Sequence, residues 1–480
     1  MNMDKRNLES TIFDFVNNDS KDIYFRINSE GKFSYINRAV ENYGYLTTEL
    51  VGKPVLDYLI FEDKKLFLEQ MRLRLEGDLT SQTLESRFLS KSGEIRHFEI
   101  ISTPVTKNVP GGTAISQGIG RDITEKIETQ NILYDLTEGN LSRLKGNEFF
   151  SETSKYISRI LNLDYVFIGK YDDNNKIKIL ASAQTDSLAG NTCDDLNSSV
   201  IKHGLNSSMC SFSDDVKTLF PNNKLLDSLG VNSYLEIPLI NSKNEIVGLL
   251  TGLGKKKIKN KNHAENIFQL FKVPISLNLE NMELIENIVD GYSKMLKYMD
   301  PYTLDHQNEV SDLSVKLGEV MGLSLTELET LNLAAKLHDI GKSGIPSQIL
   351  GKPGKLTKNE FSLIKDHSLY SYDIIKDVKF NCDDVAEIVL QHHEKLDGSG
   401  YPNGLVGSEI HKLAKILTVA DVFNAMANDR PYRKALSLEK TLDELNRNKG
   451  ILFCPDVVET LMKLYDSDND LFINSFCKRN

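Results

Sequence analysis

The chain has 480 residues, of which 40% are hydrophobic and 26% are charged, and this length suits about three domains of ordinary size. The formal net charge of -11 argues against nonspecific binding to nucleic acid or anionic membranes, because such partners attract basic surfaces. No stretch approaches the roughly 18 consecutive apolar residues of a membrane span and the amino terminus lacks a signal-peptide core, so we expect a cytoplasmic protein without DNA or membrane partners.

The first predicted domain, residues 1–125, alternates short strands with turns. The segments "IYFRINSEGKFSYINR" and "ESRFLSKSGEIRHFEIISTPV" each predict a hairpin, around Ser-Glu-Gly and Lys-Ser-Gly. With "YGYLTTELVGKPVLDYL" between them and "GIGRDITEKIE" at the end, this part resembles a PAS sensor domain, an α+β fold. It contains no cysteine for blue-light flavin chemistry. His97 is a conceivable haem ligand, but a solvent-facing strand position beside Arg96 is the simpler interpretation.

A helical linker is predicted over residues 126–139, and a second α+β domain over residues 140–284. "FFSETSKYISRILNL" predicts a helix, and "DYVFIGKYD" and "KIKILASAQ" predict strands. The segment "SYLEIPLINSKNEIVGLLTGLG" predicts two apolar strands around an Asn-Ser-Lys-Asn turn. This pattern resembles a GAF domain, which implies a second small-molecule or protein-signal module. The ligands of the PAS and GAF domains are not identified by the sequence.

Residues 285–300 are predicted to form a signalling helix between the sensor domains and the last domain. Apolar residues recur there at spacings of 3, 4, 3 and 4, at Ile285, Ile288, Tyr292, Met295 and Met299. The spacing fits a single helix that covers a domain core, and it equally fits a short coiled-coil seam. Sensors that act through a continuous helix usually do so as parallel dimers, so we expect a homodimer joined through the linker helices.

The last domain, residues 301–480, is predicted to be an all-α bundle. Segments such as "TELETLNLAAKLHDIGK" and "CDDVAEIVLQHHEKLDG" carry an apolar stripe at helical spacing. Six of the nine histidines fall here, and five of these lie between residues 306 and 393. The five cysteines show neither CxxC pairs nor regular spacing, so a disulfide framework and a cysteine zinc site are not expected.

Histidines and aspartates on different helices of this bundle are candidate metal ligands. They are His306, His338, Asp339, His367, His392, His393 and Asp421. Imidazole and carboxylate without thiolate suit Fe, Mn, Zn or Ni, and facing helices often supply such ligands. Neighbours on a helix project about 100° apart, so the adjacent pairs predict two ions rather than one. A carboxylate can bridge two metals about 3.5–4 Å apart, and a shared hydroxide indicates phosphoester hydrolysis.

Three cationic residues near the candidate ligands suit a phosphate substrate. Lys342 follows His338 by four and is expected on the same helix face, where it can contact a phosphate oxygen. The alternative for Lys342 is a helix C-terminal lysine near free carbonyl groups. Arg430 and Arg433 follow in "DRPYR". We expect Arg430 to contact phosphate or base edges, with a surface ion pair as the alternative for either arginine.

Three motifs occur in order in this domain: "HDIGKSGIP" at 338–346, "HHEKLDGSGYP" at 392–402 and "ADVFNAMANDRPYR" at 420–433. With them, the last third of the chain closely resembles the HD-GYP family of cyclic di-GMP phosphodiesterases. The resemblance implies that the seven candidates bind metals, with iron or manganese expected. It also implies that the product is linear pGpG, with further cleavage to GMP in some members. We assign catalytic roles to Asp339 and Lys342, and substrate binding to Lys342, Tyr401 and Arg430.

The chain departs from the family pattern at three positions. Some members hold a third metal through a glutamate one turn before the first histidine, where this chain has Tyr302, so we predict two metals. Ser368 and Ser371 replace the family's usual proline and glycine after the middle histidine. Neither position is a ligand, and activity is expected to be kept.

The GYP stretch is expected to shape the wall of the substrate site. Gly398 and Gly400 permit backbone turns that a side chain would hinder, and Pro402 stiffens the exit. Tyr401 is expected to support the wall or to contact a base.

Three functions stay open on the sequence. The first is a sensor-regulated cyclic di-GMP phosphodiesterase, whose PAS and GAF domains alter the rate through the connector near Leu284. The second is an HD-domain phosphohydrolase of another cyclic dinucleotide or nucleotide. The third is a non-catalytic module that binds cyclic di-GMP or docks a partner. The complete ligand set argues against this third function, since degenerate members would be expected to lose ligands.

Overall fold

A computed structural model of the chain describes residues 17, 20–77, 80–105, 114–172, 176–183, 192–193, 210–212, 216, 224–258, 260–299, 303–352, 354–378, 380, 382, 384–428 and 434–467. Two compact units, Met1–Gly139 and Asn140–Asn480, make up the chain. Among the described residues, no helix combines the length and apolar character that a bilayer span requires.

The first unit is an α+β domain built on a five-stranded antiparallel sheet. Its strands are β1 (Ile23–Asn28), β2 (Phe33–Ile36), β3 (Gln82–Leu89), β4 (Ile95–Pro104) and β5 (Ala114–Asp122), in the order β2-β1-β5-β4-β3. Its α-helices are α1 (Thr47–Leu50), α2 (Phe61–Leu75) and α3 (Thr124–Thr137), with 3-10 turns at Arg38–Tyr43 and Val55–Asp57. Both predicted hairpins are confirmed. Gly31 and Gly93 adopt positive φ in their turns, which favours glycine.

Alternation along the strands of the first unit decides which side chains enter its core. Phe25 and Ile27 alternate into the core on β1. On β2, an irregularity in the pairing with Arg26 and Ile27 lets both Phe33 and Ile36 be buried. On β4, Arg96 faces a cavity. His97 is the next residue and therefore points to the other face of the sheet. This orientation agrees with the interpretation of His97 as a strand residue outside the core.

The second unit begins with an α+β region on a six-stranded antiparallel sheet. The strands are β6 (Tyr165–Tyr171), β7 (Ile177–Ala183), β8 (Thr192–Cys193), β9 (Cys210–Phe212), β10 (Ser233–Ile240) and β11 (Ile246–Gly254), in the order β8-β7-β6-β11-β10-β9. Its helices are α4 (Gly146–Leu161) and α5 (Lys224–Leu229), after a 3-10 turn at Leu141–Arg143. The predicted helix, the two strands and the hairpin are confirmed. Almost all of β10 is buried, as expected of a strand covered on both faces.

One long helix, α6 (Lys261–Met299), runs from the sheet region into the helical region of the second unit. Its first half packs on the sheet through buried side chains such as Ile275 and Leu279. In its second half, Val289 is buried and Ile285 packs beside it against the helical core. Placing Ile285 in a dimer seam was therefore wrong, because this residue covers the core of its own chain. The other described members of the predicted seam are exposed: Ile288, Tyr292 and Met295. The side chain of Met299 lies outside the described residues.

The rest of the second unit is helical, as predicted. Its α-helices are α7 (Thr303–Val320), α8 (Leu325–Leu337), α9 (Ser347–Leu350), α10 (Lys358–Lys365), α11 (His367–Ile375), α12 (Val385–Gln391), α13 (Lys412–Ala427), α14 (Leu438–Arg447) and α15 (Pro455–Ser467), with 3-10 turns at Ile340–Gly344 and Gly407–Glu409. Ser324 and Thr357 begin α8 and α10 as capping boxes. Ser437 caps α14 through its side chain alone, which accepts from the Lys440 N–H. One apolar core holds these helices together and fixes the spacing between the side chains of the site.

Candidate metal centre

All seven predicted metal ligands lie within the described residues and converge on one site in the helical region. His306 is on α7, His338 and Asp339 follow α8, His367 begins α11, His392 and His393 follow α12, and Asp421 is on α13. All of them except His393 are buried. Tyr302, Arg430 and Arg433 lie outside the described residues, so their predicted roles stay predictions.

The ligands form two groups of three. The atoms of His306, His338 and Asp339 that could bind a metal lie within 4.8 Å of one another, and so do those of His367, His392 and His393. Each adjacent pair thus falls into one group, whereas helical divergence had predicted that the pair would be divided. The reason is that α8 ends at Leu337 and α12 at Gln391, so each pair lies just past the regular helix.

Two carboxylates face both groups. Asp339 Oδ2 is 3.3 Å from His338 Nε2, while Asp339 Oδ1 is 3.5 Å from His367 Nε2. Asp421 Oδ1 is 3.2 Å from His306 Nε2, and Asp421 Oδ2 is 3.9 Å from His393 Nδ1. Each carboxylate therefore directs one oxygen to each group, which is the arrangement that a bridging ligand requires.

Three of the histidines have their ring orientation fixed by the main chain. The Nδ1 atoms of His338, His367 and His392 each donate to the carbonyl oxygen three residues earlier, at 2.6, 2.5 and 2.5 Å. A carbonyl only accepts, so Nδ1 carries a proton and Nε2 is the ring atom that can bind a metal. His338 Nε2 is buried and has no hydrogen-bond partner. A metal ion would satisfy this atom, so the donor set fits a metal.

His306 is oriented by a side-chain network that the sequence had not predicted. Its Nδ1 is 2.6 Å from Asn424 Oδ1. Asn424 Nδ2 in turn donates to Glu309 Oε2 at 2.8 Å, and Asn428 Nδ2 donates to the same oxygen at 2.9 Å. Such partners hold metal-binding imidazoles in place. Asn424 follows Asp421 by three residues on α13, and this helical spacing is a signal that could have identified it.

Neighbouring cations keep the two carboxylates ionised. Burial raises the pKa of Asp339, but the Lys342 ammonium and His338 outweigh burial and hold this pKa well below its usual range. Burial also raises the pKa of Asp421, and the hydrogen bond and charge of His306 hold it well below its usual range. Ionised carboxylates are the form that binds metal.

Burial favours the neutral form of three histidines. Burial, together with His338 and His367, lowers the pKa of His392 to about 3. Burial also lowers the pKa of His367 and of His393, the latter well below its usual range. Burial lowers the pKa of His338 as well, but the adjacent Asp339 carboxylate outweighs it, and the pKa is raised overall. Most of the imidazoles are therefore already in the state that metal binding requires.

Lys342 reaches the site, although not from the helix that the sequence predicted. It lies in the 3-10 turn Ile340–Gly344, after α8 has ended. Its Nζ donates to Asp339 Oδ2 at 2.6 Å. The ammonium thus contacts a candidate bridging carboxylate and does not cap a helix, which argues against the helix C-terminal alternative.

The two serines that depart from the family pattern have hydrogen-bonding roles. Ser371 Oγ donates to the His338 carbonyl at 2.8 Å and accepts from the Gly341 N–H at 2.8 Å. A Cβ on Gly341 would lie 2.1 Å from the His367 carbonyl, so only glycine fits there. Ser368 Oγ donates to the Lys365 carbonyl at 3.0 Å. Ser371 therefore ties α11 to the turn that carries Asp339.

The loop after His393 is organised by Glu394, which the sequence had not singled out. This buried carboxylate accepts from the N–H groups of Asn403, Gly404 and Leu405 at 2.7, 3.2 and 3.0 Å. A Cβ on Gly400 would lie 2.4 Å from the Glu394 Cα, so the backbone passes too close for any side chain. Gly398 adopts a φ of 79°. Both glycines thus permit the turn as predicted.

Tyr401 and Lys365 line the side of the site next to His393. The Tyr401 ring centroid is 4.7 Å from that of His393, and Lys365 Nζ lies 4.9 Å from the Tyr401 centroid. Burial raises the pKa of the Tyr401 phenol, with Asp421 acting in the same direction. The phenol therefore stays a hydrogen-bond donor at neutral pH. Lys365 is a cation that the sequence had not identified.

Two parts of the chain match known families. Residues 290–457 match the model described as HD domain, and residues 13–123 match the model described as PAS fold. The chain therefore contains an HD domain and a PAS domain, and the HD match includes all seven candidate ligands.

Several curated proteins are similar to part of the chain. A cyclic di-GMP phosphodiesterase of Thermotoga maritima is 37% identical over 213 residues, which are 44% of this chain and 58% of that protein. A cyclic di-GMP phosphodiesterase response regulator of Xanthomonas campestris is 39% identical over 172 residues, 36% and 46% of the two chains. The 3'3'-cGAMP-specific phosphodiesterase 3 of Vibrio cholerae is 36% identical over 180 residues, 37% and 39% of the two chains. The chain spans between 39% and 58% of these relatives.

Proposed function

We propose that the chain is a metal-dependent phosphodiesterase that hydrolyses cyclic di-GMP to pGpG, with GMP as a possible second product. One observation carries the proposal: five histidines converge in the helical region, and Asp339 and Asp421 each direct one oxygen towards His306 or His338 and the other towards His367 or His393. The relatives named as cyclic di-GMP phosphodiesterases support the choice of substrate.

In this proposal the seven ligands hold two divalent ions, iron or manganese. Such ions, when bound by these residues, would lower the pKa of a water molecule and offset the negative charge of phosphate oxygens. Asp339 and Asp421 fix the position of the two groups of ligands relative to each other, because each carboxylate directs one oxygen to each group. Lys342 Nζ lies at Asp339 Oδ2, from which it can turn to a phosphate oxygen. Tyr401 and Arg430 are assigned to substrate contacts.

The sensor domains are proposed to control the rate through α6, and the ion pairs of this helix support that role. Lys170 Nζ on β6 is 3.0 Å from Glu286 Oε2, and Lys336 Nζ on α8 is 3.4 Å from Asp290 Oδ1. The helix thus contacts both the sheet region and the helix that leads to His338. A fragment from residue 285 to 480 with the same rate as the full chain under all ligand and redox conditions would contradict this control.

A homodimer in the cytoplasm belongs to the same proposal. Support comes from an exposed apolar stripe on α6: Leu277, Leu284, Ile288, Tyr292 and Met295. At about 100° per residue these positions fall on one face of the helix, as a coiled-coil partner requires. A monomeric mass in sedimentation at micromolar concentration would contradict the dimer.

A second candidate substrate is 3'3'-cGAMP, which the name of the Vibrio cholerae relative favours. The test is to incubate the full chain, loaded with Fe(II) or Mn(II), with cyclic di-GMP and with 3'3'-cGAMP, and to separate the products. We expect faster cleavage of cyclic di-GMP to pGpG. Faster cleavage of 3'3'-cGAMP would favour the second candidate, and tight binding without turnover would favour the non-catalytic module.

A further inference from the structure

A cavity lies between the sheet of the first unit and helix α2. Its volume is about 130 Å³, and most of its lining is apolar, with aromatic rings that include Phe25, Phe33, Phe88 and Phe98. An engineered cavity of about 150 Å³ with an apolar lining binds benzene. The size therefore suits a small ring with a few attached atoms.

Two polar atoms of the lining are buried without a hydrogen-bond partner. They are Arg96 Nε at the start of β4 and Gln70 Oε1 in the middle of α2. Unmet buried donors and acceptors are uncommon in folded proteins because they lose their hydrogen bonds to water. Arg96 Nε needs an acceptor and Gln70 Oε1 needs a donor, so the cavity has two anchors of opposite kind.

The charges around Arg96 favour a neutral acceptor over an anionic one. Its Nη2 already donates to Glu94 Oε1 at 2.9 Å. The Asp122 carboxylate, which accepts from Tyr43 Oη at 3.0 Å, lies close enough to Arg96 to interact with its charge. A ligand carboxylate would be a third negative group around one guanidinium. The other arginine of the lining, Arg74, donates to the backbone carbonyls of Thr80 and Ser102.

We propose that this cavity binds a neutral, mainly aromatic molecule that offers a carbonyl or hydroxyl acceptor to Arg96 Nε and a hydrogen-bond donor to Gln70 Oε1. The aromatic lining packs against the ring, and the two polar atoms fix its direction. This inference is independent of the phosphodiesterase proposal, because no residue of the metal centre takes part in it.

The test uses the full chain and three probes with one ring, titrated by calorimetry at pH 6.5. The probe 4-hydroxyacetophenone carries both the acceptor and the donor, 4-hydroxybenzoate is its anionic counterpart, and toluene has neither group. We expect 4-hydroxyacetophenone to bind at least tenfold more tightly than the other two. Equal or tighter binding of 4-hydroxybenzoate would overturn the neutral ligand class, equal binding of toluene would overturn the polar anchors, and no binding at millimolar concentration would overturn the site.

Three variants test whether the probes bind in this cavity. Gly120 lines the cavity, and a Cβ there would lie at ordinary contact distances, 3.5 Å from Phe98 Cδ1 and 3.8 Å from Ile23 Cβ, so Gly120→Val is chosen to fill part of the cavity. It should abolish binding. Arg96→Met should lower the affinity for 4-hydroxyacetophenone about tenfold or more and leave the affinity for toluene unchanged. Arg121→Met is the matched control, because Arg121 is exposed and pairs with Asp22. It should change neither affinity. Unchanged binding in Gly120→Val would overturn the location, even if Arg96→Met failed to fold.

Discussion

The metal centre and the cavity of the first unit both contain buried polar groups, but these groups differ in their hydrogen-bond partners. In the metal centre the histidine rings are held by second partners, as His306 is by Asn424 and His338 by a backbone carbonyl. In the cavity, Arg96 Nε and Gln70 Oε1 have no partner. The first arrangement positions ligands for small ions at fixed points. The second offers two anchors at the edge of an apolar space, which suits an organic molecule.

The largest effect is expected from the carboxylate that faces both ligand groups. Asp339→Asn removes its charge and one of its two acceptor oxygens, so phosphodiesterase activity should fall about 10³-fold or more. Metal bound per chain, measured by plasma mass spectrometry, should fall as well. Asp373→Asn, at an exposed aspartate paired with Lys376, is the matched control. Full activity in Asp339→Asn would show that the centre is not organised around this residue.

The seven side chains that converge on the candidate site could be predicted because the motifs place them at recognisable spacings. Their grouping could not, because it depends on where α8 and α12 end, and those ends are set by the surrounding packing. Glu394 was missed because its sequence position does not distinguish it from surface glutamates; its role depends on a loop that folds back over it. The cavity was also unpredicted, since β1, β4 and α2 meet only in the folded unit. The all-α class of the last domain followed from helical periodicity, whereas the α+β class of the first two domains followed from their resemblance to PAS and GAF domains.

A smaller loss is expected when the loop is loosened and the ligands are kept. In Glu394→Gln the amide nitrogen replaces one of the oxygens that accept from the main chain at Asn403 and Leu405. The side-chain amide N–H would then face a main-chain N–H, and the unpaired donors would destabilise the loop by about 1–3 kcal/mol. Activity should fall roughly tenfold or more through a raised KM, because the wall near Tyr401 is displaced, while two metals stay bound.

The matched control for the loop is Glu439→Gln, in the first turn of α14. It should leave KM and metal content unchanged. Loss of metal in Glu394→Gln would mean that the loop and the ligands are not separable, and the proposed role of Glu394 in shaping the substrate wall would be wrong.

Removing an orienting partner should weaken metal binding without removing a ligand. Asn424→Ala frees the His306 ring and leaves Glu309 without one of its two donors. Changes of this kind cost about 10- to 100-fold in metal affinity. Competition with a chelator measures the affinity, and activity at saturating metal should largely recover. Activity that stays low at saturating metal would assign Asn424 another role.

The smallest effect is expected in the sheet region of the second unit. Burial raises the pKa of Glu236 to about 7, although hydrogen bonds from Tyr234 and Thr251 oppose the shift. The folded state therefore keeps the proton to higher pH than the unfolded state does, and stability falls as pH rises from about 4.5 to 7. The melting temperature of the Glu236→Gln variant should depend less on pH between 5.5 and 8.5 than that of the unmodified chain. An unchanged dependence would contradict the raised pKa.

The seven candidate ligands are proposed to hold two ions, whereas the cavity of the first unit is proposed to bind one organic molecule. Native mass spectrometry of the full chain, titrated with Mn(II) after removal of all metal, counts the bound ions directly. We expect saturation at two ions per chain, and fewer than two in His392→Ala and in His393→Ala under the same conditions. Saturation of the unmodified chain at one ion, or two ions retained in both variants, would contradict the two-metal centre.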